Sequence, residues 1–292
     1  MRVTERGRYG QMIQNNAKAA ERFQKAAGIA SSGTDVQKPS DDPATYGSMV
    51  RRNYSLKIME ERSKNATRAQ NELSVVESSL SNGIDILVAA KETTIAAANG
   101  TADPAGRKAA AESIRTMRAE LLSIANTRYG DRYLFGGTQT ATAPFDTSTG
   151  NFVGNDQVVN VPVLDGVAPP ANLSGSKTFT AAGGVDIFKT LADLAVALDN
   201  NDDAAIKASL DPLTKSHDQL VNGQVQSGFA ADRFRQARDV LTSTTMNVTE
   251  RLTQEINGDP AQQLSELTLS KSAYERSIAV SQQLLSISSN WR

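Results

Sequence analysis

The chain has 292 residues, of which 39% are hydrophobic and only 5% aromatic, and its formal net charge is -1. A composition so poor in aromatic residues suits helical bundles filled by small aliphatic side chains, and near neutrality gives no general electrostatic reason to bind nucleic acid or an anionic membrane. The absence of cysteine excludes disulfides, thiolate metal sites and cysteine nucleophiles.

A helical seam opens the chain. The residues of this N-terminal seam recur at spacings of four and three: Tyr9, Ile13, Asn16, Ala20, Phe23 and Ala27. Such a repeat keeps one face of a helix turned toward a partner helix. We therefore predict a first helix over residues 4–30, followed by a polar loop over residues 34–42.

Four Asp-Pro pairs divide the sequence: Asp42-Pro43, Asp103-Pro104, Asp211-Pro212 and Asp259-Pro260. An aspartate caps the N-terminus of a helix by accepting from an orphan backbone N–H, and a proline loses nothing at the first helical position. Each pair therefore predicts a helix start.

Long helices follow the first pair. A four-three repeat runs from residue 59 to residue 97 and passes unshifted through Asn82-Gly83, which predicts one continuous helix over residues 43–99. At 1.5 Å per residue such a helix is about 80 Å long. A third helix is predicted over residues 104–129.

The composition changes after residue 133, since residues 133–232 contain neither arginine nor glutamate. Residues 136–185 are rich in Gly, Thr, Asn and Pro, and short alternating stretches at 152–153 and 158–164 predict strands. Just before this region lies a candidate junction with the helical part, in which apolar side chains enter a turn: Tyr133, Leu134, Phe135, Gly136 and Gly137. We expect a small β-rich head here.

Helices return over residues 185–200, 203–221, 229–257 and from 260 onward. The last one carries a C-terminal seam that matches the first: Ala273, Val280, Leu284, Ile287 and Trp291. We expect the two seams to pack either on each other or on neighbouring copies of the protein. These patterns predict three nested layers. Terminal helices (1–42 with 259–292) enclose a helical rod (43–135 with 186–258), and the rod encloses the head (136–185).

Two motifs carry a family resemblance. Residues 38–44, KPSDDPA, resemble the Ser-x-Asp-Asp-Pro loop that follows the first helix in flagellar hook-associated proteins of the flagellin superfamily. Residues 132–139, RYLFGGTQ, resemble the Tyr-Leu-Phe-x-Gly segment of the hook–filament junction members, and Pro144-Phe145 follows at their spacing. The resemblance covers roughly residues 1–145 and 185–292.

The resemblance implies a mainly α, elongated flagellin-like bundle with paired terminal coiled-coil helices. It also makes the loop residues candidates for a contact with neighbouring subunits: Ser40, Asp41, Asp42 and Pro43. It also implies a structural role in the bacterial flagellum, joining hook to filament by self-assembly into a ring. The implied partners are the adjacent hook-associated protein, flagellin and a cytoplasmic export chaperone on the C-terminal helix. Type III export without a cleaved signal peptide would place the protein outside the cell. A minor flagellin, or an exported coiled-coil adhesin or type III translocator, remains an alternative.

No catalytic, metal or cofactor site is expected. His217 is the only histidine, which excludes His-based triads and multi-histidine metal sites. The acidic cluster Asp199, Asp202 and Asp203 lacks the spacing of a calcium loop and is better explained as an acidic helix start. No apolar run approaches the roughly 20 residues of a membrane span, and no secretory signal is recognisable. We therefore expect neither nucleic acid nor membrane as a partner.

Overall fold

The computed structural model describes residues 2–99 and 103–289, and the predicted mainly α fold is confirmed. The helices are α1 (Arg2–Ser32), α2 (Pro43–Ala98), α3 (Pro104–Ala125), α4 (Gly175–Phe179), α5 (Ile187–Asp199), α6 (Asp203–Ala208), α7 (Leu210–Ile256) and α8 (Pro260–Ser289). A 3₁₀ turn covers Ala181–Gly183. Strands β1 (Arg128–Tyr129) and β2 (Arg132–Tyr133) form an antiparallel hairpin.

Three of the four Asp-Pro pairs begin helices as predicted, because α2, α3 and α8 each start at the proline. The capping bonds are present: Asp103 Oδ1 accepts from Gly106 N at 2.7 Å, and Asp259 Oδ1 accepts from Ala261 N at 2.9 Å. The fourth pair lies in the first turn of α7, which starts one residue earlier at Leu210.

Glycines within the long helices mark close packing and do not break them. Gly83 lies inside α2 as predicted, and a Cβ there would approach Leu121 Cδ1 and Leu220 Cδ1 to 3.2 Å. The predicted break at residues 222–228 is wrong, because α7 is continuous from residue 210 to residue 256. Gly223 is buried there, and a Cβ on it would meet Thr178 Cγ2 at 3.3 Å. Packing at this point therefore outweighs the low helix propensity of glycine.

The chain divides into two compact units. Unit 1 joins Met1–Ile58 to Thr244–Arg292, and unit 2 is Met59–Ser243. Both helices α2 and α7 cross the boundary, and residues 136–185 belong to unit 2. The nested division into three layers stays a prediction.

The core of unit 2 is built by α2, α3, α5 and α7. Its fully buried aliphatic side chains include Leu80, Leu87, Ile114, Leu121, Leu191, Leu198 and Leu220. The helical spacing of these residues follows from the four-three repeat of the sequence. The third helix ends at Ala125, four residues before its predicted end, because the chain there turns into the β1–β2 hairpin.

Residues 136–185 form an irregular loop region and not the expected β-rich head. The bridges in this region are isolated: Gly136↔Ser174, Phe145↔Phe152, Asn160↔Pro170 and Leu164↔Val167. The predicted strands pair only over short distances: Val153 N donates to Pro144 O at 2.8 Å, Val161 N to Pro169 O at 3.1 Å, and Ala171 N to Val159 O at 2.8 Å. Pro162 and the Pro169-Pro170 pair provide no backbone donors, so a ladder cannot extend through them.

Phenylalanine rings hold this loop region onto the helices. The cluster consists of Phe135, Phe145, Phe152, Phe179 and Phe188, with ring centroids 5.0 to 5.9 Å apart in the contacting pairs. All but Phe152 are fully or almost fully buried. Gln219 of α7 adds polar anchors, because its Nε2 donates to Thr178 O and Thr180 O, each at 3.1 Å.

One stretch of α2 meets the length and composition of a membrane span. An 18-residue window within this helix has a mean hydropathy of 1.2, and 39% of its residues are buried inside the protein. The core helix of a bundle passes the same test, and α2 contributes buried residues along most of its length. The window is therefore weak support for a membrane contact.

Candidate assembly surface

Helices α1 and α8 pair within unit 1, in antiparallel order. The ring of Phe23 stacks on that of Tyr274, with centroids 5.9 Å apart and planes 9° apart. Two turns earlier on α1, Asn16 Nδ2 donates to Ser281 Oγ at 2.7 Å, and Ser277 Oγ donates to Asn16 Oδ1. A single asparagine in a helix seam fixes the register of the pair, because only one alignment satisfies its amide.

The N-terminal seam is brought to this pairing only in part. Asn16, Ala20, Phe23 and Ala27 are half-buried, whereas Tyr9 is 41% exposed and Ile13 is 63% exposed. Continuing the register from Phe23 opposite Tyr274 places Ile13 opposite Leu284, which is itself 51% exposed. The pair is thus open at the end where these apolar side chains lie.

The C-terminal seam does not face α1 where it is described. Ala273 is exposed, and Val280 and Leu284 are 55% and 51% exposed. Trp291 and the side chain of Ile287 lie outside the described residues. The face that packs on α1 is shifted around the helix and carries mostly polar residues: Gln263, Ser270, Tyr274, Ser277 and Ser281.

The difference between the predicted and the observed packing face of α8 has a physical cause. The Asn16 amide needs a donor and an acceptor beside it, and the hydroxyls of Ser277 and Ser281 supply both. Turning the predicted apolar face inward would bury this amide without partners, at a desolvation cost of about 1–3 kcal/mol. The four-three spacing of serine, tyrosine and glutamine along α8 was the signal that apolar periodicity alone missed.

Because a polar face of α8 packs on α1, an apolar stripe on α8 stays uncovered. We call it the outer stripe; it consists of Leu269, Ala273, Val280 and Leu284. At 100° per residue it lies about a quarter turn from the face that packs on α1. Contiguous exposed apolar surface of this kind marks interaction sites in soluble proteins.

The loop after α1 is bonded to the turn between α7 and α8. Asp35 N donates to Ile256 O at 2.8 Å, and Gln263 Nε2 donates to Asp35 Oδ1 at 2.8 Å. A Cβ on Gly258 would lie 2.2 Å from both Asp35 carboxylate oxygens, so any larger residue would have to displace this carboxylate and its bond to Gln263. These contacts fix the start of α8 relative to the end of α1.

The acidic loop is held mainly by its own side chains. Asp41 Oδ1 lies 2.6 Å from Lys25 Nζ, and Asp41 Oδ2 accepts from the backbone N–H groups of Gln37 and Lys38 at 3.2 and 3.0 Å. The Lys25 ammonium and these two amides hold the pKa of Asp41 below its usual value.

Asp42 caps α2 as predicted. Its Oδ1 accepts from Ala44 N at 2.9 Å and Thr45 N at 3.2 Å, and the Thr45 hydroxyl donates to Oδ2 at 2.6 Å. These bonds lower the pKa of Asp42. Ser40 and Pro43 are exposed beside it, so the predicted contact of this loop with neighbouring subunits stays a prediction.

We expect Asp41→Asn to loosen the loop. The substitution removes the charge that Lys25 and the two amides bind, so the protection of the Gln37 and Lys38 amides against hydrogen exchange should fall several-fold. Because the pKa of Asp41 is lowered by folding, this stabilisation is fully present above about pH 3.8 and is lost as the pH falls through the folded-state pKa. Ser40→Ala serves as control. Unchanged protection in Asp41→Asn would refute the argument.

The candidate junction residues lie where predicted, at the entry to the loop region. Leu134 and Phe135 are buried, and the Arg128 guanidinium lies 5.1 Å from the centre of the Tyr133 ring. Gly137 has a φ of +67°, and a Cβ there would lie 2.0 Å from Asn155 O. The backbone path at this point thus requires glycine.

Within residues 2–99 and 103–289 no cluster of three or more His, Asp or Glu side chains could hold a metal ion. His217 is a partly exposed helix residue, as predicted. Of the acidic cluster, Asp202 caps α6, while Asp199 pairs with Arg115 and Asp203 with Arg107. The cluster is accounted for by these bonds.

Known proteins resemble the chain in sequence over part of its length. Residues 6–140 match the N-terminal helical region of bacterial flagellin. Flagellar hook-associated protein 3 of Salmonella typhimurium is 29% identical over 160 residues, which are 54% of this chain and 50% of that protein. Its Escherichia coli counterpart is 29% identical over 61% of this chain and 57% of that protein. The chain thus spans about half the length of the curated relatives it matches.

Solved structures show the same fold. A putative flagellar hook-associated protein from Vibrio parahaemolyticus superposes with a TM-score of 0.69 at 20% identity, covering 74% of this chain and all of that one. FlgL from Bacillus cereus gives 0.60 at 23% identity, covering 70% and 99%. The resemblance predicted from residues 38–44 and 132–139 is therefore confirmed: the chain has a flagellin-like fold and is similar to flagellar hook-associated protein 3.

Proposed function

We propose that this protein is a structural subunit of the bacterial flagellum that joins the hook to the filament by helix packing. The observation that carries the proposal is the outer stripe on α8, an apolar surface left uncovered beside the α1–α8 pair. Two paired helices bury little surface alone, and apolar side chains such as Ile13 and Leu284 gain burial only from further helices. The similarity to hook-associated protein 3 supports the same role.

The proposed assembly is a ring of copies of this chain. The N-terminal and C-terminal seams would carry packing along the axis, and the helices of the rod would carry packing between neighbours. The adjacent hook-associated protein and flagellin would contact the ring on its two sides. A cytoplasmic export chaperone would bind the C-terminal helix before export through the type III apparatus. No step of this role involves catalysis.

The junction role is favoured over the alternatives by the names of the relatives. Both curated relatives are hook-associated proteins, which supports a junction subunit over a minor flagellin. An exported coiled-coil adhesin or type III translocator is not supported by any relative described above.

The test is deletion of the gene in the source bacterium. We expect hooks without filaments and flagellin monomers released into the medium, because flagellin would have no ring on which to polymerise. Electron microscopy and analysis of the medium measure both. Restoration by the wild-type gene is the control, and intact filaments in the deletion strain would overturn the proposal.

A further inference from the structure

Unit 2 presents an exposed phenyl ring that has no assigned role. Phe229 of α7 is 66% exposed, and Val225, one turn before it, is 48% exposed. Both border a shallow groove that Ser74 and Glu77 of α2 line on the other side. We call Val225 and Phe229 the knob. Together they form a small apolar patch on adjacent turns of one helix, and its aromatic ring offers a large apolar contact area to a partner.

A cavity of about 300 Å³ lies elsewhere on the same unit, between α2, β2 and the loop around residues 159–172. We call it the hole. Its apolar lining includes Ala69, Val76, Leu134, Val161, Pro162 and Ala171. A cavity of this size is at the lower end of the range that holds small organic groups and has room for a phenyl ring.

The knob and the hole lie on nearly opposite sides of α2. The α2 residues at the hole include Ala69 and Val76, and those at the groove of the knob include Ser74 and Glu77. At 100° per residue the two full sets of α2 residues point roughly 150° apart. A single copy therefore cannot insert its own knob into its own hole.

The two surfaces also carry opposite charge. Beside the knob, Asp232 and Arg235 pair at 2.7 Å, which leaves Glu77 as the uncompensated charge. At the hole, Arg132 and Glu72 lie 3.5 Å apart, which leaves Arg68. Neither Glu77 nor Arg68 has an ion-pair partner among the described residues.

We propose that the knob of one copy of this chain enters the hole of the next copy, with Glu77 facing Arg68. This lateral contact rests on the proposed function, in which copies form a ring. It joins two different surfaces, and contacts of that kind generate rings or helical arrays and not closed dimers. In the proposed function, the rod helices carry the packing between neighbouring copies. The knob and the hole are the specific surfaces of that packing.

The contact is too small to hold two copies together in solution. Stable interfaces bury about 1,200–2,000 Å² in total, and one phenyl ring with its neighbours covers a small part of that. In a ring each copy is held by several contacts at once, so that a weak lateral contact acts at a high effective concentration. The free protein is therefore expected to stay monomeric.

Cysteine cross-linking tests the contact, because the natural chain contains no cysteine. Val225→Cys places a thiol on the knob itself, next to Phe229, and Asn160→Cys places one at the exposed rim of the hole. In flagella isolated from cells that make the double variant, a short bis-maleimide should yield a ladder of dimers, trimers and higher species. Each single variant alone should yield none. Adding Phe229→Ala should weaken the ladder about tenfold, as loss of a central aromatic anchor does.

The outcomes separate this contact from the proposed function. If the double variant is present in flagella and gives no ladder, the knob-and-hole contact is wrong while the junction role stands. If Val225→Cys alone gives dimers, the contact joins two knobs and the proposal is overturned. If the protein is absent from flagella, the proposed function fails and the contact with it.

A charge exchange gives a second, independent test. Glu77→Arg and Arg68→Glu should each reduce the swimming of a complemented deletion strain, and the two together in one chain should restore it. Lys108→Glu, an exposed charge reversal on α3, should have no effect. Failure of the double variant to exceed either single variant would refute the pairing of Glu77 with Arg68.

Discussion

Replacing Phe145 by alanine should lower the free energy of unfolding of the protein by about 3–5 kcal/mol, the usual range for truncating a buried aromatic side chain. Phe145 is fully buried and its ring lies within 5.5 Å of those of Phe152, Phe179 and Phe188. Of these partners, Phe179 and Phe188 lie in a later segment of the chain, and Phe188 belongs to α5. The cavity would therefore loosen the loop region from α5 as well as weaken the core.

Urea unfolding followed by far-ultraviolet circular dichroism measures this effect. Val153→Ala is the control, since Val153 is 57% exposed and close to the same loop, and its substitution should change the free energy of unfolding by less than about 0.5 kcal/mol. A loss below about 1 kcal/mol in Phe145→Ala would mean that the ring cluster does not hold the loop region.

The double substitution of Val280 and Leu284 by aspartate should abolish assembly without destabilising the free protein. Both side chains are more than half exposed in the single chain, so charge there costs little before assembly. If the outer stripe packs against neighbouring copies, two carboxylates would be buried unpaired in that interface, which is strongly unfavourable. The complemented deletion strain should then swim no better than the deletion strain itself.

The matched control places aspartate at Thr268 and Gln282, two exposed positions on another face of α8. This control should complement the deletion fully. Hydrogen exchange of the purified proteins should show equal protection around Asn16 and Ser281 in the wild type and both variants. Full swimming in the Val280 and Leu284 variant would show that the outer stripe takes no part in assembly.

The sequence predicted those features that depend on short-range pattern. The phase of the apolar repeat in α2 and the Asp-Pro caps act over a few residues, so the helix starts at Pro43, Pro104 and Pro260 were found. The packing face of α8 was missed because it depends on Asn16, some 265 residues away from Ser281. Apolar periodicity predicts that the most hydrophobic face of α8 packs inward, but here the Asn16 amide and the hydroxyls of Ser277 and Ser281 determine which face packs on α1.

The backbone path of the loop region, residues 136–185, was the other feature that could not be predicted from the sequence. Its strands were predicted from alternation, and a few backbone pairs do form, such as Val161 N donating to Pro169 O at 3.1 Å, but other backbone groups there are bound by side chains. Asn155 and Asn172 illustrate this, since the first accepts from Thr138 N at 3.0 Å and the second accepts from Val159 N at 2.7 Å. Pairings of this kind leave no periodic trace, because each bond joins residues at its own separation along the chain.

The placement of α1 and α8 has a consequence for the time order of folding. The partner of α1 is α8, and closing a loop of 265 residues costs about 5 kcal/mol more than closing a contact between neighbours. Unit 2 contains neither terminal helix, and the Arg238 side chain donates to Gln70 Oε1 at 3.2 Å, which joins its first and last segments. We therefore expect unit 2 to fold first, which would shorten the loop that must close before α1 and α8 can pair.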